Sequence, residues 1–312
     1  MIVVTGGAGF IGSNLVKELN NQGYSDILIV DDLTCGLKHK NLNRLNFLDF
    51  ADYRDFLANI DAYNDIEVII HQGACSDTTE QDGRFMMRVN YEYSKELLRF
   101  CVSKKARFFY ASSASVYGDG KNGFRESPEC EYPLNMYAFS KYQFDRFAQA
   151  NMHRLTAQLV GLRYFNVYGP QENHKGKMAS VAFHAYNQVK DGKSIRLFAG
   201  SENFKRDFIY VDDVVKVNIF FLKNPNLTGI YNCGTGEAES FVAIAEAIQS
   251  IDNNAKVETV PFPEELIGKY QAFTQADLTK LRGDGYTGKF LNVDDGVKKY
   301  IKILKENGGY LM

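Results

Sequence analysis

Through the first half of the chain, short unbroken apolar runs alternate with stretches whose apolar residues recur at helical spacing. "MIVVTG" is an apolar run stopped by glycines, and "FIGSNLVKELNNQGY" carries a helical period behind it. "DILIVDD", "IEVIIHQGA", "RFFYASSA" and "AQLVGLRYFNVYGP" repeat the strand signal, while "MMRVNYEYSKELLRFCVSKK" and "YAFSKYQFDRFAQANMH" repeat the helical one. Strands that are apolar at successive rather than alternate positions are buried on both faces, as in a parallel sheet covered by helices on either side. The pattern predicts an α/β chain built on a doubly wound, Rossmann-type parallel sheet.

After Pro170 the regularity weakens. The polar loop "ENHKGKMAS" precedes a helical "VAFHAYNQVK"; "SIRLFAG", "RDFIYVDDVVKVNIFFLK", "GIYNCGTG" and "SFVAIAEAIQSI" are short pieces, and "NVDDGVKKYIKILKEN" is amphipathic. No repeat or linker divides the chain, and 312 residues suffice for a large domain and a smaller one. We expect a smaller α/β substrate lobe interleaved with the first. Residues 1–165, about 207–238 and 271–293 then form the dinucleotide-binding domain, and about 166–206, 239–270 and 294–312 the substrate-binding domain.

Composition removes several function classes. A net charge of −2 leaves no basic excess for nucleic acid. No apolar run approaches the roughly 18 residues of a membrane span. "MIVVTGGAGF" lacks a basic leader, so it reads as a strand and not a signal peptide. The five cysteines have neither C-x-x-C nor zinc spacing and the five histidines do not cluster, which predicts reduced thiols, a cytoplasmic protein and no catalytic metal.

Candidate chemistry starts in "VTGGAGFIG". Gly6, Gly9 and Gly12 follow the first strand and open the first helix, the context in which glycines admit a dinucleotide's pyrophosphate to a helix N-terminus. Asp31 and Asp32 end the next strand about 20 residues on, where an acid holds the adenosine ribose. Asp31 favours NAD; Lys38 and Arg54, just beyond, turn the site toward NADP or are simply solvated cations.

Tyr-x-x-x-Lys occurs four times, at Tyr91/Lys95, Tyr117/Lys121, Tyr137/Lys141 and Tyr186/Lys190, in a chain with 19 tyrosines. Only Tyr137/Lys141 follows a strand end bearing a serine, Ser113, so one substrate oxygen can meet both hydroxyls. Near neutrality a tyrosine base needs its pKa lowered from about 10. The Lys141 ammonium and a nicotinamide cation both act in that direction. The other three pairs read as surface or packing pairs.

Gly6-x-x-Gly9-x-x-Gly12, "SSASVYG", "YAFSK" and "RYFNVYGP" resemble the extended short-chain dehydrogenase/reductase family, which acts on nucleotide sugars, over essentially the whole chain. "HQGACSDTTEQDG", "NHKGKMASVAFH", "GSENFKRDFIYV" and "KYQAFTQADLTKLR" resemble its branch that epimerises an ADP-activated heptose at C6 for lipopolysaccharide core synthesis. The resemblance implies transient oxidation to a ketone by tightly bound NADP (NAD being the alternative), and re-reduction on the opposite face. It also implies a homo-oligomer, a pentamer, with a small-molecule nucleotide-sugar substrate.

Residue by residue, the resemblance makes Tyr137, Lys175, Lys141 and Ser113 catalytic, with Lys175 the second acid/base. The loop lysines Lys175 and Lys177, read without it, grip diphosphate. Cofactor contacts fall on Gly6, Gly9, Phe10, Ile11, Gly12, Asp31, Asp32, Lys38, Arg54, Gln72, Gly73, Ala74, Cys75, Ser76, Asn90, Val167 and again on Tyr137, Lys141 and Lys175. Substrate contacts fall on Asn166, Lys177, His184, Phe198, Ala199, Gly200, Ser201, Arg206 and Tyr270. A nucleotide-sugar dehydratase needs an Asp-Glu pair where this chain has Ala114 and Ser115. A UDP- or GDP-sugar 4-epimerase and a non-catalytic NADP-binding regulator are the other readings.

Overall fold

The apolar runs lie side by side as one seven-stranded parallel sheet in a computed structural model, which describes residues 1–154, 156–262 and 271–311. In chain order the first half comprises β1 (Ile2–Thr5), α1 (Phe10–Asn21), β2 (Ile27–Asp31), β3 (Asp49–Asp52), α2 (Tyr53–Ala58) and β4 (Val68–His71). Next, α3 (Gly83–Met86) runs through a π-helical turn (Met87–Glu92) into α4 (Tyr93–Lys104). Then come β5 (Arg107–Ser113), α5 (Met136–Asn151) and β6 (Leu159–Tyr164).

The second half interleaves short pieces: β7 (Asn166–Tyr168), α6 (Val181–Lys190), β8 (Ile195–Phe198), β9 (Lys205–Arg206), β10 (Phe208–Tyr210) and α7 (Val211–Lys223). It closes with β11 (Gly229–Cys233), β12 (Glu239–Ser240), α8 (Phe241–Gln249), β13 (Val257–Val260), α9 (Thr279–Gly283) and α10 (Val293–Asn307). The main sheet runs β11-β6-β5-β4-β1-β2-β3. Its order turns around at β1, whose neighbours are β2 and β4, and a ligand crevice opens there at the strands' C-terminal ends. Three two-stranded pairs, β7 with β10, β8 with β13 and β9 with β12, lie outside it.

Alternate residues of each strand feed two separate cores. Ile2, Val4, Ile27 and Ile29 pack with Leu15, Val16 and Leu19 of α1 and with Val214, Val217 and Phe221 of α7. Val3, Leu28, Val30, Ile69 and Phe108 pack on the other side with Leu97 and Leu98 of α4 and Phe144 of α5. Both faces being covered is why the strands read as unbroken apolar runs. A third core joins α6, β8, β10, α8 and α10 through Ala182, Ile195, Tyr210, Ile248 and Tyr300.

Helix α5 is pinned to the sheet by buried charge. Arg163 of β6 and Asp145 of α5 are both 2% exposed, and Arg163 Nε donates to Asp145 Oδ2 at 2.9 Å. Asp145 also accepts from Tyr110 Oη at 3.0 Å and Ser112 Oγ at 2.9 Å. The arginine reaches on to Tyr117 Oη at 2.9 Å and to Glu131. Removing one member of such a pair strands the other in a dry interior. Asp145→Ala is therefore expected to cost about 3–5 kcal/mol of stability, read as a lower urea midpoint; an unchanged midpoint would show that the pair does not hold α5.

Candidate active site at the strand ends

A cleft of about 770 Å3 opens over the C-terminal ends of β1, β2, β4 and β5. Its floor is the glycine loop. Gly6 has φ +67°, and a Cβ built there falls 2.5 Å from the Gly73 nitrogen; one on Gly12 falls 2.1 Å from the Gly6 carbonyl oxygen. Neither position tolerates a side chain, so α1 starts directly against the exit of β1. No side chain caps the N-terminus of α1 and no acid lies in its first turn, which leaves its N–H groups and positive dipole end to an anion. The cradle fits a dinucleotide's pyrophosphate.

At the end of β2, Asp31 Oδ2 accepts from the Ala8 N–H at 2.8 Å, and Oδ1 accepts from Lys38 Nζ at 2.9 Å. Lys38 also donates to the Asp32 carbonyl at 2.9 Å. Asp32 turns its carboxylate to the Thr34 N–H at 2.7 Å, and Arg54 stands 3.9 Å from Asp32 at the exposed edge. Gln72, beside the glycine loop, carries a buried side-chain amide with no hydrogen-bond partner. Asn90 does not line the cleft; it fixes the Cys75 backbone, accepting from its N–H at 2.8 Å and donating to its carbonyl at 3.0 Å. Asn90 belongs to the π-helical turn, which is tied to the sheet by the Ser94 hydroxyl, His71 and Thr5, with 2.8 Å and 2.5 Å contacts at the imidazole. Burial drives the His71 pKa down to about 3, so this ring stays neutral and serves as a structural link.

Ser113, Tyr137 and Lys141 line the cleft together. Asn135 caps α5, its Oδ1 accepting from the Ala138 N–H at 2.8 Å, so Tyr137 sits in the first turn and Lys141 one turn further along the same face. Lys141 Nζ donates to the Ala111 carbonyl of β5 at 2.8 Å. Burial lowers the Lys141 pKa to about 8. The expected lowering of Tyr137 by Lys141 is corrected here. Burial raises the phenol above its ordinary value, and only the Ser113 hydroxyl opposes it. The other three Tyr/Lys pairs are packing or surface features. Lys95 lies 4.6 Å over the Tyr91 ring, Lys121 pairs with Asp119 at 2.7 Å, and Tyr186 is buried while Lys190 is exposed.

The opposite wall comes from the loop after β7. Asn173–Met178 forms two short 3₁₀ turns broken at Gly176, whose φ is 53°. Lys175 projects from it, 4.9 Å above the Phe10 ring and 3.9 Å from Glu172 Oε2. Burial lowers the Lys175 pKa and Glu172 pulls it back up. Lys177 is exposed and salt-bridged to Asp77 at 3.2 Å. The loop is tied to the glycine loop by side-chain amides: Asn41 Nδ2 donates to the Ala8 carbonyl at 3.0 Å and the Gln171 carbonyl at 3.1 Å. Gln171, buried at φ 79°, donates back to the Asn41 carbonyl at 3.1 Å.

A family model, the NAD dependent epimerase/dehydratase family, matches residues 2–234. The chain belongs to this family. An ADP-L-glycero-D-manno-heptose-6-epimerase of Brachyspira hyodysenteriae is 60% identical over 318 residues, covering 100% of this chain and 100% of the relative. Among solved structures, the Helicobacter pylori ADP-L-glycero-D-manno-heptose-6-epimerase superposes with a TM-score of 0.86 at 30% identity, covering 98% of this chain and 96% of that one. A Thermus thermophilus UDP-glucose 4-epimerase complex with NAD gives 0.82 at 27% identity, covering 98% and 99%.

For this member of the epimerase/dehydratase family, the cleft wall gathers the residues expected from the glycine loop, "QGACS", Ser113, Tyr137, Lys141, Asn166, Val167, Lys175 and Lys177. His184, Phe198, Ala199, Gly200, Ser201 and Arg206 lie outside that wall. Arg206 is buried with its guanidinium 5.8 Å from the Phe241 ring, and Phe241 does line the cleft. Tyr270 lies outside the described residues. Among the described residues no cluster of His, Cys, Asp and Glu could hold a metal ion, and no helix is long and apolar enough to cross a membrane.

The Lys141 pKa has a thermodynamic consequence. The folded chain releases this proton at about pH 8, whereas an unfolded lysine holds it to about 10.5. Between those values the unfolded state binds more protons, so stability rises with pH. From pH 7 to pH 9 the protein should gain about 1 kcal/mol relative to Lys141→Met in urea unfolding; parallel pH profiles would contradict the buried, cationic assignment.

Proposed function

We propose that this chain inverts C6 of ADP-D-glycero-D-manno-heptose to ADP-L-glycero-D-manno-heptose. The observation that carries the reading is full-length 60% identity to a heptose 6-epimerase, on a cleft with acid/base groups from two separate elements. Bound in the glycine cradle, the nicotinamide dinucleotide supplies reversible hydride transfer at C6. Everything else falls to the chain's own side chains.

Tyr137 takes the C6 hydroxyl proton as that carbon is oxidised, with Ser113 holding the same oxygen and Lys141 standing one turn along α5 on the same wall. The buried phenol is a poor base by itself, and a cationic ring bound beside it would favour the phenolate. Once the ketone turns, its oxygen faces another wall, and Lys175 protonates it there. The step forms an O–H bond and breaks an N–H bond. Over one turnover Tyr137 gains a proton and Lys175 loses one, and both re-equilibrate with water. The diphosphate and adenosine of the substrate extend toward Lys177, Arg206, His184 and the Phe198–Ser201 turn.

NADP is the proposed form, because Lys38 already neutralises Asp31 and Arg54 adds a second cation at the end of β2. Mass spectrometry of nucleotide released on denaturation tests it, NAD alone being the contrary result. The same reading makes the protein a cytoplasmic homo-oligomer, a pentamer, which light scattering tests.

Incubation with ADP-D-glycero-D-manno-heptose should yield the C6 epimer, and UDP-glucose should not be turned over. Tyr137→Phe and Lys175→Met are each expected to lower kcat by about 10²–10⁴-fold. Normal epimerisation by Tyr137→Phe would remove it as the acid/base, and a KM-only effect of Lys175→Met would make Lys175 a phosphate ligand.

A further inference from the structure

We infer that Glu172 is the positioning residue of Lys175, its buried carboxylate aiming the ammonium into the cleft and keeping it charged until the ketone needs a proton. The inference rests on the reading of Lys175 as an acid/base, and its geometry is independent of that reading. Glu172 has no exposed side-chain surface. One of its oxygens accepts from the Ser180 N–H at 2.7 Å and the other from Ser180 Oγ at 2.6 Å. Burial pushes the Glu172 pKa up, while Lys175 and the Ser180 donors act against it; Ser180 is the N-cap of α6, so the carboxylate sits at a helix N-terminus, where negative charge is favoured. It is held in one orientation, with Oε2 toward Lys175.

Lys175 is thus placed between two fixed groups, the Glu172 carboxylate at 3.9 Å behind it and the Phe10 ring at 4.9 Å. The carboxylate is beyond hydrogen-bond length, so it orients the ammonium without capturing its protons. Phe10 opens α1, which places the ammonium beside the nucleotide cradle.

No other nearby charge substitutes for Glu172 among the described residues. His174, the adjoining loop residue, is driven down to about pKa 4 by burial and by Lys38 and Lys175, and is neutral. Lys177 turns outward to Asp77, and Asp31 is taken up by Lys38. Behind the carboxylate stands the buried phenol of Tyr300 in α10, pushed far above its ordinary pKa by burial and by Glu172 and so neutral. Burial of Lys175 favours the free amine, and Glu172 is the charge that opposes it.

The test titrates Lys175 directly. Lysines are reductively methylated with ¹³C-formaldehyde in the full-length protein. The Lys175 signal is identified by its loss in Lys175→Met and followed against pH by NMR. In Glu172→Gln its midpoint is expected to fall by about 1–3 pH units. The limb of the kcat–pH profile that requires the ammonium should move down with it while KM holds. A midpoint equal to that of the unsubstituted protein overturns the proposal. Should Glu172→Gln not fold, Glu172→Asp, which draws the carboxylate back by one methylene, is titrated instead. A lowered midpoint supports the assignment and an unmoved one overturns it. If Lys175→Met keeps its kcat while Glu172→Gln still lowers the midpoint, the acid/base reading fails and the electrostatic pairing stands, so the two failures are distinct.

Discussion

The backbone of Gly6 passes so close to Gly73 that no Cβ fits between them, and Gly12 closes on the Gly6 carbonyl in the same way. This contact brings the exits of β1 and β4 together where the strand order turns around. The start of α1 is thereby fixed over the sheet, with Asp31 one strand away and Ser113 two strands away on the other side. A side chain at either glycine would lift the helix and misalign both. The distance from the end of β2 to Ser113 at the end of β5 is therefore set by backbone packing.

Charge in the cleft is arranged so that working groups face inward and their partners face the core. Lys141 is tied to a backbone carbonyl of β5. Lys175 is backed by Glu172, and α5 is anchored by Arg163 and Asp145 beneath the reacting face. Tyr137 on one wall and Lys175 on the other are the pair that the proposed reaction uses to take a proton on one side and give one on the other. The amide exchange between Asn41 and Gln171 joins the lysine loop to the glycine loop, so the two halves of the site are positioned against each other.

Much of this was legible in the chain because it rests on local pattern. The main-sheet strands built from apolar runs, the glycine loop, Asp31 and the Ser113–Tyr137–Lys141 set all follow from apolar runs, helix period and spacing. Edge strand β3 was not legible: "DFAD" is short, partly exposed and rich in acid, with pairing supplied only by β2. Asn41 and Gln171 were missed because they bond across 130 positions, and Glu172, three residues from Lys175, because its orientation is set by Ser180 eight positions on. Periodicity carries no trace of such contacts. The Tyr137 pKa went the other way because spacing on a helix reveals neighbouring charge and not desolvation, and desolvation dominates here. Lys175 lines the cleft, and its acid/base role comes from the resemblance, since spacing alone reads it as a phosphate ligand.

The central claim is that C6 is oxidised and re-reduced inside this one cleft, with the hydrogen never leaving it. Substrate carrying deuterium at C6, converted in ordinary water and analysed by NMR, tests this directly. The account predicts inverted product that retains its deuterium at C6. Product carrying solvent hydrogen at C6 would show inversion by deprotonation at carbon and would contradict it.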